Sequence, residues 1–115
     1  MTSLDKAKKI AKILDSKKAE DIKLLHVYDQ TIITEYFAIA GADSTTQMKA
    51  LADETEYQMN LEGFKPYGIE GYGTDAWTIL DFGDVIVHIF MRGARDFYKL
   101  EKLWADAHEV AWNEE

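Results

Sequence analysis

The segment WTILDFGDVIVHIF, residues 77–90, contains two apolar runs separated by a Gly-Asp pair at positions 83–84. Glycine takes the positive φ that a two-residue hairpin turn requires, so the segment predicts a β-hairpin. The turn also fixes the register: Phe82 faces Val85 and Trp77 faces Phe90, with the intervening residues paired in order. The composition of the two sides of this hairpin can therefore be read directly from the sequence.

Side chains alternate between the two sides of a strand, so the hairpin has a first face and a second face of different composition. The first face is almost entirely apolar and is predicted to be core; it consists of Thr78, Leu80, Phe82, Val85, Val87 and Ile89. The second face places two ionisable groups among large apolar side chains; it consists of Trp77, Ile79, Asp81, Ile86, His88 and Phe90. Such a surface is unusual against water, and we expect either helices or another protein to cover it.

The composition is that of one globular domain spanning residues 1–115, long enough to bury a hydrophobic core. Hydrophobic residues make up 47% of the chain and charged residues 30%, as in ordinary soluble proteins. The absence of Cys excludes disulfides and thiol chemistry. Because the first ten residues lack an apolar signal region and no run approaches a membrane span, we expect a cytoplasmic protein.

The chain carries 13 basic and 21 acidic residues, a formal charge of −8. A negative field repels phosphate backbones, so little direct nucleic-acid binding is expected. The same field attracts basic protein surfaces, including those of proteins that coat RNA. Solubility alone is an equally simple explanation of the charge.

The remaining elements follow from periodicity and from turn residues. Apolar residues from Leu4 to Leu14 recur at helical spacing, with Ser3 and Asp5 at the start. Residues 21–29 and 35–42 predict strands because they are rich in Ile, Val, Tyr and Phe. A second helix is predicted between Ser44, in a capping-box pattern with Gln47, and Gly63. Its buried stripe is predicted to be Met48, Leu51, Ala52, Thr55 and Met59.

Residues 65–73 hold the single Pro and three Gly, and predict a short strand at most. From Asp96 to Ala111 apolar residues repeat every three or four positions, which predicts a third amphipathic helix. This order of elements favours an α/β (α+β) fold, in which a mixed β-sheet of about five strands is flanked by helices.

The sequence offers little that supports catalysis. His26, His88 and His108 are dispersed and match no metal-binding spacing, so we expect neither a metal nor another cofactor. Asp81 and His88 could form an acid/base pair across the hairpin, but no strand-turn-helix elbow marks a nucleophile, and a His held within a packed face is the simpler interpretation. The converging carboxylates of a nucleotidyltransferase and the glycine-rich loop of a P-loop enzyme are both missing.

Four segments in order carry a family resemblance: TEYFAIAGADSTTQMKALAD (residues 34–53), Glu70-Gly71, the hairpin segment, and RDFYKLEKLW (residues 95–104). Together they make the chain similar to the ribosomal silencing factor S family, also called Iojap-like. Two positions depart from the family pattern. Gly-Ala-Asp-Ser at residues 41–44 replaces a usual Ser-Gly-x-Ser turn, and Gly93 stands where a Glu is common.

The resemblance implies a translational repressor that is not an enzyme. Such factors bind the large ribosomal subunit through its ribosomal protein fourteen (uL14) and sterically block association with the small subunit when nutrients are limiting. The implied fold is a nucleotidyltransferase-like core without catalytic carboxylates, and free members of the family often pair as homodimers.

With this resemblance, the second face becomes the predicted docking surface, in which aromatic side chains anchor the partner and acidic groups meet its basic residues. The predicted partner-binding residues are Tyr36, Trp77, Asp81, His88, Phe90, Arg95, Tyr98 and Glu101. The alternative is that Trp77 and Phe90 merely pack under the last helix. Two other functions stay open at this point: a nucleotide-binding enzyme that shares the fold, and an acidic adaptor for a different basic protein.

Overall fold

The computed structural model describes residues 1–27, 34–73, 76–91 and 107–113. Within these ranges the chain has an α+β fold of two helices and six strands. In chain order they are α1 (Ser3–Ser16), β1 (Glu20–His26), β2 (Tyr36–Ala42), α2 (Thr45–Leu61), β3 (Gly68–Glu70), β4 (Trp77–Asp81), β5 (Val85–Met91) and β6 (His108–Glu109). The predicted mixed sheet with flanking helices is confirmed, with one strand more than the five expected.

The strands form one sheet in the order β3-β4-β5-β2-β1-β6. Its central pair, β2 and β5, is parallel, whereas the other four pairs are antiparallel. The β4–β5 hairpin has the predicted register, with Trp77 opposite Phe90. Its turn closes through a 2.9 Å hydrogen bond from the Phe82 amide to the Val85 carbonyl. Gly83 has a φ of 88°, and this positive value at the first turn position is what a type II′ turn requires.

Both helices pack on the first face of the hairpin and form the main core with it. Leu80, Val85, Val87 and Ile89 are fully buried there. The predicted stripe of α2 is also buried, which confirms it. Lys6 joins the start of α1 to the hairpin turn through a 3.0 Å ion pair with Asp84. The first face is therefore the side of the sheet that makes the fold.

A polar side chain caps the N-terminus of each helix. Thr2 caps α1 in a reciprocal box with Asp5: the Asp5 amide donates to Thr2 Oγ1, and the Thr2 amide donates to Asp5 Oδ2. Ser44 caps α2 by accepting a 3.0 Å hydrogen bond from the Gln47 amide. The Gln47 side chain accepts from the Asp43 amide rather than from Ser44, so the predicted capping box is only half formed.

The third predicted helix lies mostly outside the described residues, and its predicted end is wrong. His108 and Glu109 form strand β6 instead, paired antiparallel with His26 and Leu25. The Val110 amide extends this pairing with a 2.8 Å hydrogen bond to the Leu24 carbonyl. The helical spacing of Ala107 and Ala111 was therefore overridden by backbone pairing with the edge of β1, which no local pattern reveals.

Candidate partner-binding site

The second face of the hairpin contributes to a smaller apolar cluster on the side of the sheet opposite the main core. Its buried members are Leu25, Val27, Phe37, Ile39 and Phe90. Trp77 and Ile86 are only partly buried and pack against this cluster. Among the described residues, α1 and α2 both contribute to the main core rather than to this cluster. The second face is thus an apolar surface with exposed parts, which makes it the candidate binding site.

Four rings build the centre of the second face. Trp77 stacks on Phe90 with 4.8 Å between ring centroids and an interplanar angle of 23°. Phe37, from the neighbouring strand β2, meets His88 edge-on at 4.6 Å. Phe90 is fully buried, which favours the packing alternative for this residue. Its ring supports Trp77, which keeps part of its surface available to a partner.

His88 is the buried polar group of this face, only 6% exposed. Its Nδ1 lies 3.2 Å from the Trp77 indole nitrogen, which is a donor only, so Nδ1 must be the acceptor. The neutral ring therefore carries its proton on Nε2. Burial lowers the pKa of His88 from 6.5 to about 4, so the ring is uncharged at neutral pH.

A cavity of about 260 Å³ opens beside His88. Its lining is contributed by β2, β3, β4 and β5, and includes Phe37, Glu70, Ile79, Asp81, Ile86 and His88. Asp81 accepts a 2.8 Å hydrogen bond from the Gly83 amide and so also holds the hairpin turn. The His88 Nε2 has no hydrogen-bond partner within the described residues, so the acid/base pair with Asp81 considered from the sequence is not formed. The cavity combines apolar walls, the buried His88 ring and two carboxylates.

The structure brings together only some of the predicted partner-binding residues. Trp77, Asp81, His88 and Phe90 share the second face, as the hairpin alternation predicted. Tyr36 lies on the opposite side of the sheet, where it belongs to the main core and its ring lies tilted against that of His26, with 4.8 Å between centroids. The other three predicted residues, Arg95, Tyr98 and Glu101, lie outside the described residues.

The predicted set also omitted residues that line the cavity. Ile79 and Ile86 were assigned to the second face by alternation but not to the site. Phe37 reaches the cavity because β2 pairs in parallel with β5, which puts it opposite Ile86. Glu70 reaches it because β3 pairs with β4, opposite Ile79. The β2–β5 pairing joins segments far apart in the chain, the β3–β4 pairing joins consecutive strands, and the sequence carried no signal for either.

A second hollow, of about 470 Å³, lies beside α2 and is lined by Asp53, Glu56, Tyr57, Asn60, Lys65 and Pro66. Over the described ranges, no three His, Asp or Glu side chains are grouped so as to hold a metal ion. Neither described helix is long and apolar enough to cross a membrane.

A mixed sheet with one face under two helices and the other bearing an apolar, carboxylate-lined cavity defines an α+β domain with a candidate protein-binding face. Comparison with known proteins makes the assignment specific. The sequence profile of the family described as "Ribosomal silencing factor during starvation" matches residues 1–115, and the chain belongs to this family. The resemblance inferred from the four segments is thereby confirmed. Family membership also assigns the chain to the non-enzymatic, ribosome-binding regulators, as predicted.

Individual relatives agree with this assignment. The chain is 39% identical over 93 residues to ribosomal silencing factor RsfS of Bacillus subtilis, covering 81% of this chain and 79% of the relative. It is 37% identical over 111 residues to the chloroplastic protein Iojap of Arabidopsis thaliana, covering 94% of this chain and 45% of that protein. A crystal structure of a Chromobacterium violaceum protein superposes with a TM-score of 0.87 at 29% identity, covering 100% of this chain and 95% of the other.

Proposed function

We propose that this protein, acting as one domain over residues 1–115, binds the large ribosomal subunit and prevents its association with the small subunit. Family membership is the observation that carries the proposal, since the matching family is described by the silencing of ribosomes during starvation. The proposed contact is ribosomal protein fourteen (uL14) of the large subunit, and the proposed setting is the cytoplasm under nutrient limitation. Steric exclusion requires no chemistry, which agrees with a family of regulators that are not enzymes.

The second face supports the proposal because it has the properties of an interface. A partly exposed Trp beside apolar Ile79 and Ile86 offers anchoring area, and aromatic anchors dominate binding energies. Asp81 and Glu70 line the adjoining cavity, where they complement a basic ribosomal protein. The overall charge of −8 disfavours binding to ribosomal RNA itself, so a protein contact is the more favourable route. When free, the protein is proposed to pair as a homodimer.

Co-sedimentation with purified ribosomal particles tests the proposal. The protein should pellet with isolated large subunits but not with assembled ribosomes, because a factor that blocks joining must occupy the subunit interface. Preincubating large subunits with the protein should also reduce the yield of assembled ribosomes when small subunits are added. Equal pelleting with both particles would contradict steric exclusion. Failure to pellet with either would contradict ribosome binding altogether.

A matched pair of variants tests which side of the sheet binds the large subunit. Ile86→Glu introduces a charge into the partly buried second face, whereas Ala50→Glu introduces the same charge at an exposed position of α2, on the other side of the sheet. Large-subunit pelleting should be lost in the first variant and retained in the second. The opposite result would move the docking surface to the helical side.

A further inference from the structure

His88 presents a buried hydrogen-bond donor that the described residues leave without an acceptor. Its Nδ1 is engaged by the Trp77 indole, and its Nε2 has no partner in the described part of the chain. Buried donors are almost always paired in native proteins, because an unpaired one loses its hydrogen bonds to water without replacement. An unpaired N–H on a ring that lines a cavity is therefore a feature that a bound group would explain.

The arrangement around His88 fixes what the cavity offers. Trp77 can only donate, so it holds His88 in the tautomer that carries hydrogen on Nε2. The other polar side chains lining the cavity, Glu70 and Asp81, carry carboxylates and therefore only accept. Glu70 is exposed and Asp81 is half-buried, whereas His88 is buried, so the donor lies deepest among these three polar groups.

These constraints restrict the chemistry of the occupant. A carboxylate would accept from His88 but would be repelled by Glu70 and Asp81. A Lys or Arg head group would suit the two carboxylates but has no acceptor for Nε2. A purely apolar group would fit the walls formed by Ile79 and Ile86 but would leave the donor unpaired. An uncharged oxygen meets both requirements, because it can accept from Nε2 and is not repelled by Glu70 and Asp81.

We propose that His88 is a specificity-determining residue whose Nε2–H donates to an uncharged oxygen of the ribosomal partner, a carbonyl, amide or hydroxyl group inserted into this cavity. Trp77 acts as the positioning residue that orients the donor. The inference rests on the proposed function and adds to it the atom that recognises the partner through a hydrogen bond. Mismatched partners are rejected because a site built around a hydrogen bond discriminates strongly against groups that cannot form it.

Two substitutions at His88 separate donation from packing. His88→Phe keeps an aromatic ring against Phe37 and Phe90 but removes the Nε2 donor, together with the Nδ1 acceptor of the Trp77 indole. His88→Gln removes the ring but keeps an N–H donor. Affinity for purified large subunits should fall roughly ten- to a hundredfold in the Phe variant and much less in the Gln variant. A purely structural role predicts the reverse order, since the Phe variant preserves the packing better.

The native protein supplies a second measurement that does not depend on how the variants fold. In protein labelled with ¹⁵N-His, the Nε2–H signal of His88, assigned by its disappearance in the Gln variant, should move downfield on adding ribosomal protein fourteen. A signal that stays in place while the protein saturates, or a Phe variant that binds as tightly as the parent, would overturn the role of His88 alone. If the parent protein failed to bind large subunits, the proposed function and this inference would fall together.

Discussion

The two faces of the β4–β5 hairpin are built from alternate residues of the same strands, yet they have different environments. On the first face, Leu80 and Val87 are fully buried beneath the helices. On the second face, Phe90 is fully buried, but Trp77 and Ile79 keep exposed surface. One sheet can thus supply a core on one side while presenting aromatic and polar groups on the other.

The polar groups sharpen the contrast between the faces. On the first face, Thr78 is buried, and its hydroxyl donates a 3.3 Å hydrogen bond to the Gly71 carbonyl. On the second face, His88 is buried, and no described residue pairs with its Nε2. Thr55 Oγ1, buried on the main-core side, also has no partner among the described residues, so an unpaired group alone does not mark a binding face. His88 differs from Thr55 because it lines a cavity, and substitutions on the second face can show how far stability and binding are divided between the two faces.

Phe90→Ala should produce the largest effect, a loss of folding stability. Phe90 belongs to the second face, but its side chain is fully buried, so this face also contributes to stability. Removing its ring leaves a cavity among Val27, Ile39 and their neighbours, and the free energy of unfolding should fall by about 3–5 kcal/mol. Urea melts measure this loss, with Ile86→Ala as the partly buried control. A midpoint close to that of the parent would mean that Phe90 is not core and would restore it as a docking anchor.

The pH dependence of stability should depend on His88. Its pKa is about 4 in the folded protein and 6.5 in the unfolded chain, so between these values only the unfolded chain takes up the proton. The stabilisation is complete above pH 6.5 and is lost as the pH falls to about 4, by about 3 kcal/mol in all. Urea melts over this range should show a steeper loss for the parent than for His88→Gln. Parallel curves would show that burial does not lower the pKa of His88.

Trp77→Ala should affect binding more than folding, because this ring is partly exposed and rests on Phe90. Truncating an aromatic anchor typically weakens an interface by roughly 2 kcal/mol, about a thirtyfold loss of affinity. Large-subunit pelleting gives the affinity and urea melts give the stability. The shift in midpoint should be clearly smaller than for Phe90→Ala. If the urea midpoints of the two variants shifted equally and folded Trp77→Ala still pelleted with large subunits, the second face would have a structural role only.

The assignment of the hairpin residues to the two faces was predictable from the sequence. The Gly83 turn fixed the hairpin register, and strand alternation then assigned residues 77–82 and 85–90 to their faces. Burial within the second face was not predictable, because it depends on β2 lying in parallel beside β5 and bringing Phe37 against His88. The same long-range pairing puts Tyr36 on the opposite side, away from the site in which the sequence had included it.

The smallest expected effect concerns the charge of the second face. Asp81→Asn removes a carboxylate from the cavity but keeps the oxygen that accepts from the Gly83 amide, so the turn should persist. Asp15→Asn changes the net charge equally from an exposed position on α1. A partly exposed ion pair contributes up to about 1 kcal/mol, so Asp81→Asn should weaken large-subunit binding by about two- to fivefold at low salt, while Asp15→Asn should leave it unchanged.

Rising salt tests whether this effect is electrostatic. Parent binding should weaken with salt, mainly through a slower association rate, because the acidic domain approaches a basic protein. The gap between the parent and Asp81→Asn should narrow at the same time, since salt screens the interaction that the variant has lost. Association kinetics measured over a severalfold range of salt give both quantities. Equal losses in the two Asn variants would assign the effect to net charge, and the carboxylate at the second face would then have no particular part in docking.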